Sequence, residues 1–386
     1  MLRVLFFVAQ GAVLAHVIYH GVVALWGWRS PGAVVVGERR RRLRVVIPAH
    51  NEASVIGGVL SDLGDDPYDN KVVWVLADRC TDDTGAIAAG HGAAVAERSE
   101  GTSGKGAALA WYLGEQPLGA EESLVIFDAD NRLPENALGR IADRLDAGAE
   151  AVQCYLDVEN PGESWLATAS ALSYWASNRM VQLARSALGW SVDLGGTGMA
   201  FTAAAIDAAG GFGGSLTEDQ ELGARLALAG IPVRWLHQVR IRDEKPTDVG
   251  TAVRQRARWM SGRRGVARRY LGPLWRVAVA RRSMALFDQG VRLMQPGRAL
   301  VALFSALLAV IAAVTNSELL FPWGVWAAAA LIQFLEPIPF LLRDGVPTRY
   351  VVRYPLLAVL AALWAPVRVV SSFTGGEWSH TPHGGD

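Results

Sequence analysis

Cysteine and net charge are what this 386-residue sequence has least of, and both shortages exclude classes of protein. Its two cysteines, Cys80 and Cys154, cannot build a disulfide framework, and neither has the Cys/His spacing of a zinc site. Lys+Arg and Asp+Glu both number 37, so no overall positive field attracts nucleic acid. We therefore expect no nucleic-acid partner and a domain in a reducing, cytosolic compartment.

Asp, Glu, Lys and Arg are also absent from Val4 to Trp28, a stretch long enough to span a bilayer. The stretch is too long for a signal peptide, and no small-residue cleavage site precedes Arg29. Arg29 and Arg39–Arg42 follow it, so the positive-inside rule predicts a cytoplasmic domain after this helix. Fourteen tryptophans and 51% hydrophobic residues also indicate a lipid bilayer as a partner.

Three further apolar stretches lie near the C-terminal end of the sequence. They are Ala299–Thr315, Leu319–Leu342 and Tyr354–Val370. A hairpin turn is predicted at 316–318, with a cytosolic loop of arginines from Arg343 to Arg353. The last stretch contains Pro366 and Arg368, so it either spans the bilayer or lies in its interface. Glu336 either faces the protein interior or marks a helix break. We expect a multi-pass protein of the plasma membrane.

The central region alternates short apolar runs with helical patterns, which predicts an α/β fold with a mostly parallel sheet. The predicted strands are Arg44–Ile47, Val72–Leu76, Ala93–Ala96, Leu124–Phe127, Ala151–Tyr155, Met199–Phe201 and Val233–Leu236. The predicted order is a membrane helix at 1–29, a domain at 43–262, a basic juxtamembrane segment at 263–298, apolar helices at 299–371 and a tail at 372–386. Within the domain, 160–190 has helical spacing and either lies on the membrane or packs on the sheet.

Asp128-Ala129-Asp130 follows a predicted buried strand, at the sheet edge where ligands bind in such folds. Two carboxylates in this arrangement can share Mg²⁺ or Mn²⁺ with a diphosphate. The alternative is an ordinary acidic turn. Asp78 also follows a strand and can accept from a nucleobase, whereas Thr81 or Asp82 is expected to cap a helix. The glycine loop around Lys105 lacks the Walker pattern; it either holds this lysine near a nucleotide or is a solvated loop.

Thr217-Glu218-Asp219 precedes a helical pattern. Asp219 is either a general base for an acceptor hydroxyl or part of helix capping with favourable dipole charges. In Gln255–Trp259, Arg256 and Arg258 can bind a pyrophosphate, and the indole can stack on a sugar. The alternative is a basic anchor to anionic lipids, which we expect of the arginines from Arg263 to Arg269.

In this order, the motifs resemble those of the membrane-integrated family 2 glycosyltransferases, the cellulose, hyaluronan and chitin synthases and exopolysaccharide synthases. The resemblance runs from Val45 to Trp259 and implies a nucleotide-diphospho-sugar transferase (GT-A-like) domain. It assigns Asp219 as the catalytic base and Asp128 and Asp130 as the ligands of Mg²⁺ or Mn²⁺. It implies nucleotide-sugar binding by Pro48, His50, Asn51, Glu52, Asp78, Lys105, Asp128 and Asp130. It places Gly196, Thr197, Gly198, Glu218, Gln255, Arg256, Arg258 and Trp259 on the acceptor and pyrophosphate side.

The sequence departs from these synthases at Ala77, where they carry the first aspartate of a pair, and in having one apolar segment before the domain. Trp378–Thr381 is the one candidate for their gating segment. The resemblance implies an inverting enzyme that moves a sugar from a UDP-sugar to a growing polysaccharide, with export and processivity as further expectations. The alternative acceptor is a membrane lipid such as polyprenyl phosphate or a glycolipid. A non-catalytic membrane protein that binds a nucleotide or carries a solute is the third hypothesis.

Overall fold

The computed structural model describes residues 2–33, 36–37, 41–294 and 296–370. The candidate gating motif at 378–381 lies outside these residues. The strands are β1 (Arg42–Ala49), β2 (Lys71–Asp78), β3 (Ala94–Arg98), β4 (Glu122–Ile126), β5 (Ala151–Val158), β6 (Met199–Thr202) and β7 (Val233–Asp243). They form a single sheet in the order β3-β2-β1-β4-β6-β5-β7. β6 runs antiparallel to β4 and β5, and the other neighbouring pairs are parallel. The predicted α/β class with a mostly parallel sheet is therefore confirmed, and each predicted strand is present.

One helix precedes these strands, and others connect them and cover both faces of the sheet. They are α1 (Leu2–Ala24), α2 (Ile56–Asp65), α3 (Thr84–Gly90), α4 (Lys105–Glu115), α5 (Ala137–Asp146), α6 (Trp165–Ser177), α7 (Ala184–Ala187), α8 (Ala203–Ala208) and α9 (Glu218–Ala229). In β1, Val45 and Ile47 pack in the layer that contains Ile56 of α2. Val46 points to the opposite layer, which contains Leu109 of α4. A strand buried on both faces has an almost continuous apolar sequence, which is why the pattern located these strands.

The helical segment after β5 is buried inside the molecule. A π-helical turn (Asn178–Leu183) joins α6 to α7. Leu166, Leu172 and Met180 belong to the core cluster shared with the sheet and the C-terminal helices, whereas Trp165 is 39% exposed. The Ser164 hydroxyl caps α6 by accepting from the backbone N–H of Ala167. These contacts favour the packed-helix interpretation of residues 160–190.

The remaining helices follow β7. They are α10 (Val249–Ala280), α11 (Met284–Met294), α12 (Arg298–Thr315), α13 (Trp323–Leu335), α14 (Pro337–Arg343), α15 (Thr348–Val351) and α16 (Leu356–Val370). α10 is one continuous helix of 32 residues, so the predicted domain limit at 262 falls inside it. Val266 and Tyr270 of α10 pack with Ala224 of α9 and Leu293 of α11. The basic segment predicted to begin at 263 is therefore partly an extension of the domain core.

Within the described residues, three helices are long and apolar enough to cross a membrane: Arg3–Trp28, Arg298–Thr315 and Trp323–Arg343. Leu356–Arg368 is a shorter apolar helix. The turn predicted at 316–318 lies between α12 and α13. Glu336 marks a helix break, since it lies at the junction of α13 and α14. It also faces the protein interior, where its carboxylate pairs with Arg298 at 2.7 Å.

A buried network of charges joins the domain to α11 and α1. Asp288 of α11 is fully buried and accepts from Arg185 of α7 at 2.8 Å. The Tyr19 hydroxyl of α1 donates to the same carboxylate at 2.8 Å. Arg292, one turn after Asp288, pairs with Asp193 at 2.9 Å. Three parts of the chain distant in sequence therefore meet at a single carboxylate.

Candidate active site

A cavity of about 1060 Å³ opens at the carboxyl ends of the strands, between the sheet, α9 and α10. The carboxyl ends of β1, β2 and β4 lie at the same sheet edge because these strands are parallel. All of the site residues expected from the sequence line this cavity except Asn51 and Gly198. Asn51 instead accepts from the backbone N–H of Thr81 at 2.7 Å, and the Gly198 carbonyl accepts from that of Cys154 at 2.8 Å. Asn51 and Gly198 therefore stabilise loops next to the cavity and are not among the residues that line it.

Asp128 and Asp130 border the cavity directly after β4. The backbone N–H of Asp128 donates to the Thr197 hydroxyl and to the Asn131 side chain, both at 3.0 Å. The Lys105 ammonium contacts the Asp128 carboxylate and donates to the Gly196 carbonyl at 2.8 Å. Lys105 thus joins the aspartate pair to the 195–198 loop. Among the described residues, no group of three or more His, Cys, Asp or Glu side chains is arranged to hold a metal ion.

Charge balance around Lys105 favours its protonated form. Burial alone would lower the pKa of Lys105, but the carboxylates of Asp128 and Glu218 outweigh it and raise this pKa. An ammonium is therefore retained beside the aspartate pair, where it can meet a phosphate oxygen.

Glu218 and Asp219 begin α9 and face the cavity. Burial and, to a smaller extent, the charge of Glu218 together raise the pKa of Asp219 to about 7. Burial likewise raises the pKa of Glu218. Asp219 accepts from the backbone N–H of Gln220 at 2.7 Å, whereas the Thr217 side chain makes no capping hydrogen bond. A carboxylate with a pKa near neutrality is suited to accept a proton at physiological pH.

α10 lies directly over this acidic turn because Gly262 has no side chain. A Cβ at Gly262 would stand 2.6 Å from the Thr217 Cγ2 atom and 3.0 Å from its backbone nitrogen. The close approach brings the Gln255–Trp259 motif of α10 to the cavity wall.

The end of the cavity next to β2 is built around Asp78. Its carboxylate pairs with Arg79 at 2.9 Å and with Arg98 at 3.1 Å, and its side chain is only 7% exposed. His50 contacts the Asp78 carbonyl through Nδ1 at 2.6 Å. Asp82 accepts from the Thr84 backbone N–H, but the N-cap residue of α3 is Asp83, whose side chain makes no capping hydrogen bond. Asp78 thus holds two arginines in place at this end of the cavity.

The two arginines of the Gln255–Trp259 motif have different surroundings. Burial lowers the pKa of Arg258, but the carboxylates of Glu218, Asp128 and Asp219 act in the opposite direction. Arg256 lies over the Trp364 ring, 5.8 Å from its centre, and its buried Nε atom has no hydrogen-bond partner within the described part of the chain. The carboxylates of Glu218, Asp128 and Asp219 therefore act on Arg258, whereas the charges that act on Arg256 are those of Tyr174 and Arg368.

Several lining residues were missed in the sequence. Asp243, the last residue of β7, forms an ion pair of 2.5 Å with the buried Lys245. The strand predicted from the sequence ends at Leu236. Asp243 is therefore not recognised there as a polar residue at the carboxyl end of a strand, which a longer predicted strand would have shown. Asp193, Arg263, Arg264 and Arg368 also line the cavity. No local signal identifies them, because they meet through the packing of distant helices.

A mostly parallel sheet, paired aspartates after β4 and an acidic turn facing a basic helix are the arrangement expected of the GT-A-like glycosyltransferases, which use nucleotide sugars. Residues 41–262 match the family model described as "Glycosyltransferase like family 2". The chain belongs to this family. No protein with a curated description matches it.

A solved structure similar to almost the whole chain has the same fold. The mannosyltransferase PcManGT from Pyrobaculum calidifontis, described in complex with GDP-Man and Mn²⁺, is 20% identical with a TM-score of 0.56; the match covers 93% of this chain and 99% of that one. Glucosyl-3-phosphoglycerate synthase from Mycobacterium tuberculosis, described with Mn²⁺, UDP and glucosyl-3-phosphoglycerate, is 21% identical with a TM-score of 0.41. That match covers 58% of this chain and 81% of that one. At 20% identity, the similarity to PcManGT concerns the fold alone.

Proposed function

We propose that this protein is a membrane-bound, inverting glycosyltransferase that moves a sugar from a nucleotide-sugar to an acceptor held at the membrane surface. The observation that carries the proposal is that Asp128, Asp219 and Arg258 line one cavity at the base of apolar helices. On α12, Leu307 and Val314 are 54% and 77% exposed. Apolar side chains exposed along such long helices are suited to lipid contact. The arginines that follow α1 favour a cytoplasmic catalytic domain in the plasma membrane.

The proposed reaction is a single displacement. The acceptor oxygen forms a bond to the anomeric carbon of the sugar as the bond from that carbon to the donor phosphate breaks. The proton of the acceptor hydroxyl goes to Asp219, and the nucleoside diphosphate leaves with the bonding electrons. Lys105 and Arg258 stabilise its added negative charge. One displacement inverts the anomeric centre and needs no covalent intermediate.

Asp128 and Asp130 suit a divalent cation. Both line the cavity, and the Asp128 side chain is 39% exposed, so its oxygens are accessible from the cavity. Mg²⁺ and Mn²⁺ accept one or two carboxylates and complete their shells with phosphate oxygens and water. Bound here, the cation would neutralise the diphosphate leaving group. The description of PcManGT with Mn²⁺ supports the assignment.

A lipid-borne acceptor fits the cavity better than a secreted polysaccharide. Within the described residues, the lining includes Leu293, Met294 and Gly297 but no residue of the candidate spans Arg298–Thr315 and Trp323–Arg343. A polymer exported during synthesis needs a path between such spans, whereas a lipid headgroup needs only the membrane-side opening. Polysaccharide extension remains the second candidate, since Trp259 lines the cavity and can stack on a sugar.

Turnover of radiolabelled donors by native membranes that contain the full-length protein, compared with membranes that lack it, tests the proposal. We expect one UDP-sugar, or a GDP-sugar such as PcManGT is described with, to label a single organic-soluble product. Asp219→Asn should bind the donor with unchanged affinity but lose about 10²- to 10⁴-fold in transfer rate. Transfer by Asp219→Asn at the wild-type rate would exclude this base. A water-soluble product of growing length would establish the polysaccharide alternative.

A further inference from the structure

The π-helical turn (Asn178–Leu183) contributes two polar side chains to the cavity that have no part in the proposed reaction. They are Asn178 and Gln182, and both line the cavity. Asn178 is buried and donates to the Leu156 carbonyl near the end of β5 at 2.7 Å. Such turns are rare in proteins and occur frequently at functional sites. The contacts of Gln182, the other polar side chain, therefore bear on the function of the cavity.

Gln182 holds the start of the loop formed by residues 193–197, which leads into β6. Its side-chain nitrogen donates to the Asp193 carbonyl at 3.0 Å, and its side-chain oxygen accepts from the Asp193 backbone N–H at 2.9 Å. One side chain thus satisfies both backbone groups of Asp193. The Asp193 carboxylate is held separately, by Arg292 of α11 at 2.9 Å. The first residue of the 193–197 loop is therefore fixed by two different elements.

The 193–197 loop forms the cavity wall next to the proposed base. Gly196 has a φ of +88°, and a Cβ at this position would stand 3.9 Å from Oδ2 of Asp219. The Gly196 carbonyl also accepts from the Lys105 ammonium at 2.8 Å. A hydroxyl within hydrogen-bond reach of Asp219 must therefore lie beside this loop. The position of the loop decides how that hydroxyl can approach the base.

Contacts from the membrane side fix the π-helical turn itself. Arg179 is buried and donates to the Asp344 carboxylate at 2.8 Å, directly after the candidate span that ends at Arg343. Arg179 also donates to the Arg29 carbonyl at 3.2 Å, directly after the first candidate span. A Cβ at Gly27 would stand 2.3 Å from the Arg179 carbonyl oxygen, so the chain after α1 packs directly on the turn. Gln182 therefore extends to the loop from a fixed support.

We propose that Gln182 is a positioning residue for the acceptor: it binds both backbone groups of Asp193 and thereby holds the 193–197 loop where the acceptor hydroxyl meets Asp219. The inference rests on the proposed glycosyl transfer, in which Asp219 takes the proton of that hydroxyl. A large acceptor has to be oriented for the displacement, whereas water can reach the anomeric carbon of the donor in many orientations. Loss of Gln182 should therefore impair transfer to the acceptor more than hydrolysis of the donor.

Gln182→Met tests this role, because methionine has a similar length and makes neither of the two hydrogen bonds. Native membranes that contain the full-length wild type, the variant or neither receive radiolabelled UDP-sugars and GDP-sugars. Labelled acceptor and free sugar are then measured separately. We expect transfer to fall by about 10-fold in Gln182→Met, since two neutral hydrogen bonds are lost, while free sugar is released at the wild-type rate.

Hydrogen exchange measures the loop without any transfer. The full-length protein is purified in non-ionic detergent, and exchange is followed by mass spectrometry. The Asp193 backbone N–H loses its acceptor in Gln182→Met, so the segment that contains Asp193 should exchange faster than in the wild type. Gln238→Met is the matched control: the Gln238 side chain donates to the Gly32 carbonyl at 2.5 Å and lies outside the lining. This control should match the wild type in both measurements.

The two measurements separate a failure of this inference from a failure of the proposed function. Unchanged transfer in Gln182→Met, an equal fall in transfer and hydrolysis, or unchanged exchange around Asp193 would overturn the positioning role. An equal loss of transfer in Gln238→Met would overturn it as well. Absence of transfer by the wild type with every donor would instead contradict the proposed function, and faster exchange in Gln182→Met would still establish that Gln182 holds the loop.

Discussion

The pH dependence of sugar transfer tests Asp219 as the base. Burial and the charge of Glu218 raise the pKa of this carboxyl to about 7. A general base accepts a proton only in its ionised form, and a raised carboxyl pKa moves that form to higher pH. Activity should therefore be present above pH 7 and be lost as the pH falls through this value.

The size of the effect follows from the ionised fraction. With a pKa of about 7, Asp219 is roughly 90% ionised at pH 8 and roughly 10% ionised at pH 6. The kcat/KM for the donor should fall about tenfold between these two values, since kcat/KM reports the free enzyme. An aspartate with an ordinary pKa would be ionised throughout this range and would give no change.

Initial rates at subsaturating donor, measured from pH 5.5 to 9 with thermal unfolding followed at each pH, give the profile. Glu218→Gln should move the acid limb to lower pH, because it removes a charge that raises the Asp219 pKa. Glu221→Gln is the matched control in the same helical turn, since Glu221 is held by Tyr270 and Arg269 away from Asp219. A flat profile between pH 6 and 8, or an equal shift in both variants, would refute the assignment.

Three further results are expected. Gly262→Ala should lower the transfer rate and lower stability by about 1–3 kcal/mol, because the added Cβ would collide with Thr217. Gly265→Ala is the control: there is open space at its Cβ, so thermal melts should show a neutral or stabilising effect. Chelation by EDTA should abolish donor turnover and Mn²⁺ or Mg²⁺ should restore it; full activity in EDTA would remove the metal role of the two aspartates after β4. Asp288→Ala should lower stability by about 3–5 kcal/mol, since Arg185 would remain buried without its partner, and an unchanged melting temperature would contradict that account.

The sequence pattern located the sheet because most of its strands are buried on both faces. Apolar runs such as Val72–Leu76 stand out, and their ends indicate where ligand-binding side chains lie. β7 is the exception. Its second half, from His237 to Asp243, mixes polar with apolar residues, so the apolar run stops early and the strand appears shorter than it is.

Contacts between distant helices could not be predicted in the same way. The sequence predicts that Arg263 is part of a basic anchor to anionic lipids, because a run of arginines before apolar helices is typical of such anchors. In the structure it caps α11 and lines the cavity. The pairing of Asp193 with Arg292 depends on where α11 packs, and no spacing in the sequence encodes that position. Side chains placed by local strand geometry are predictable, whereas those placed by helix packing are not.

The continuity of α10 bears on how this protein can exchange parts with its relatives during evolution. The family match ends at residue 262, yet α10 continues to Ala280, and Arg263 is the first residue after that boundary. A crossover at 262 would join halves of a helix whose faces had been selected against different partners. Viable crossovers are therefore expected after Met294, so that the motif helix, α11 and the Asp288 network are inherited together. Among relatives, substitutions at Arg185, Asp288 and Arg292 should occur in concert, even though the family boundary separates the first from the other two.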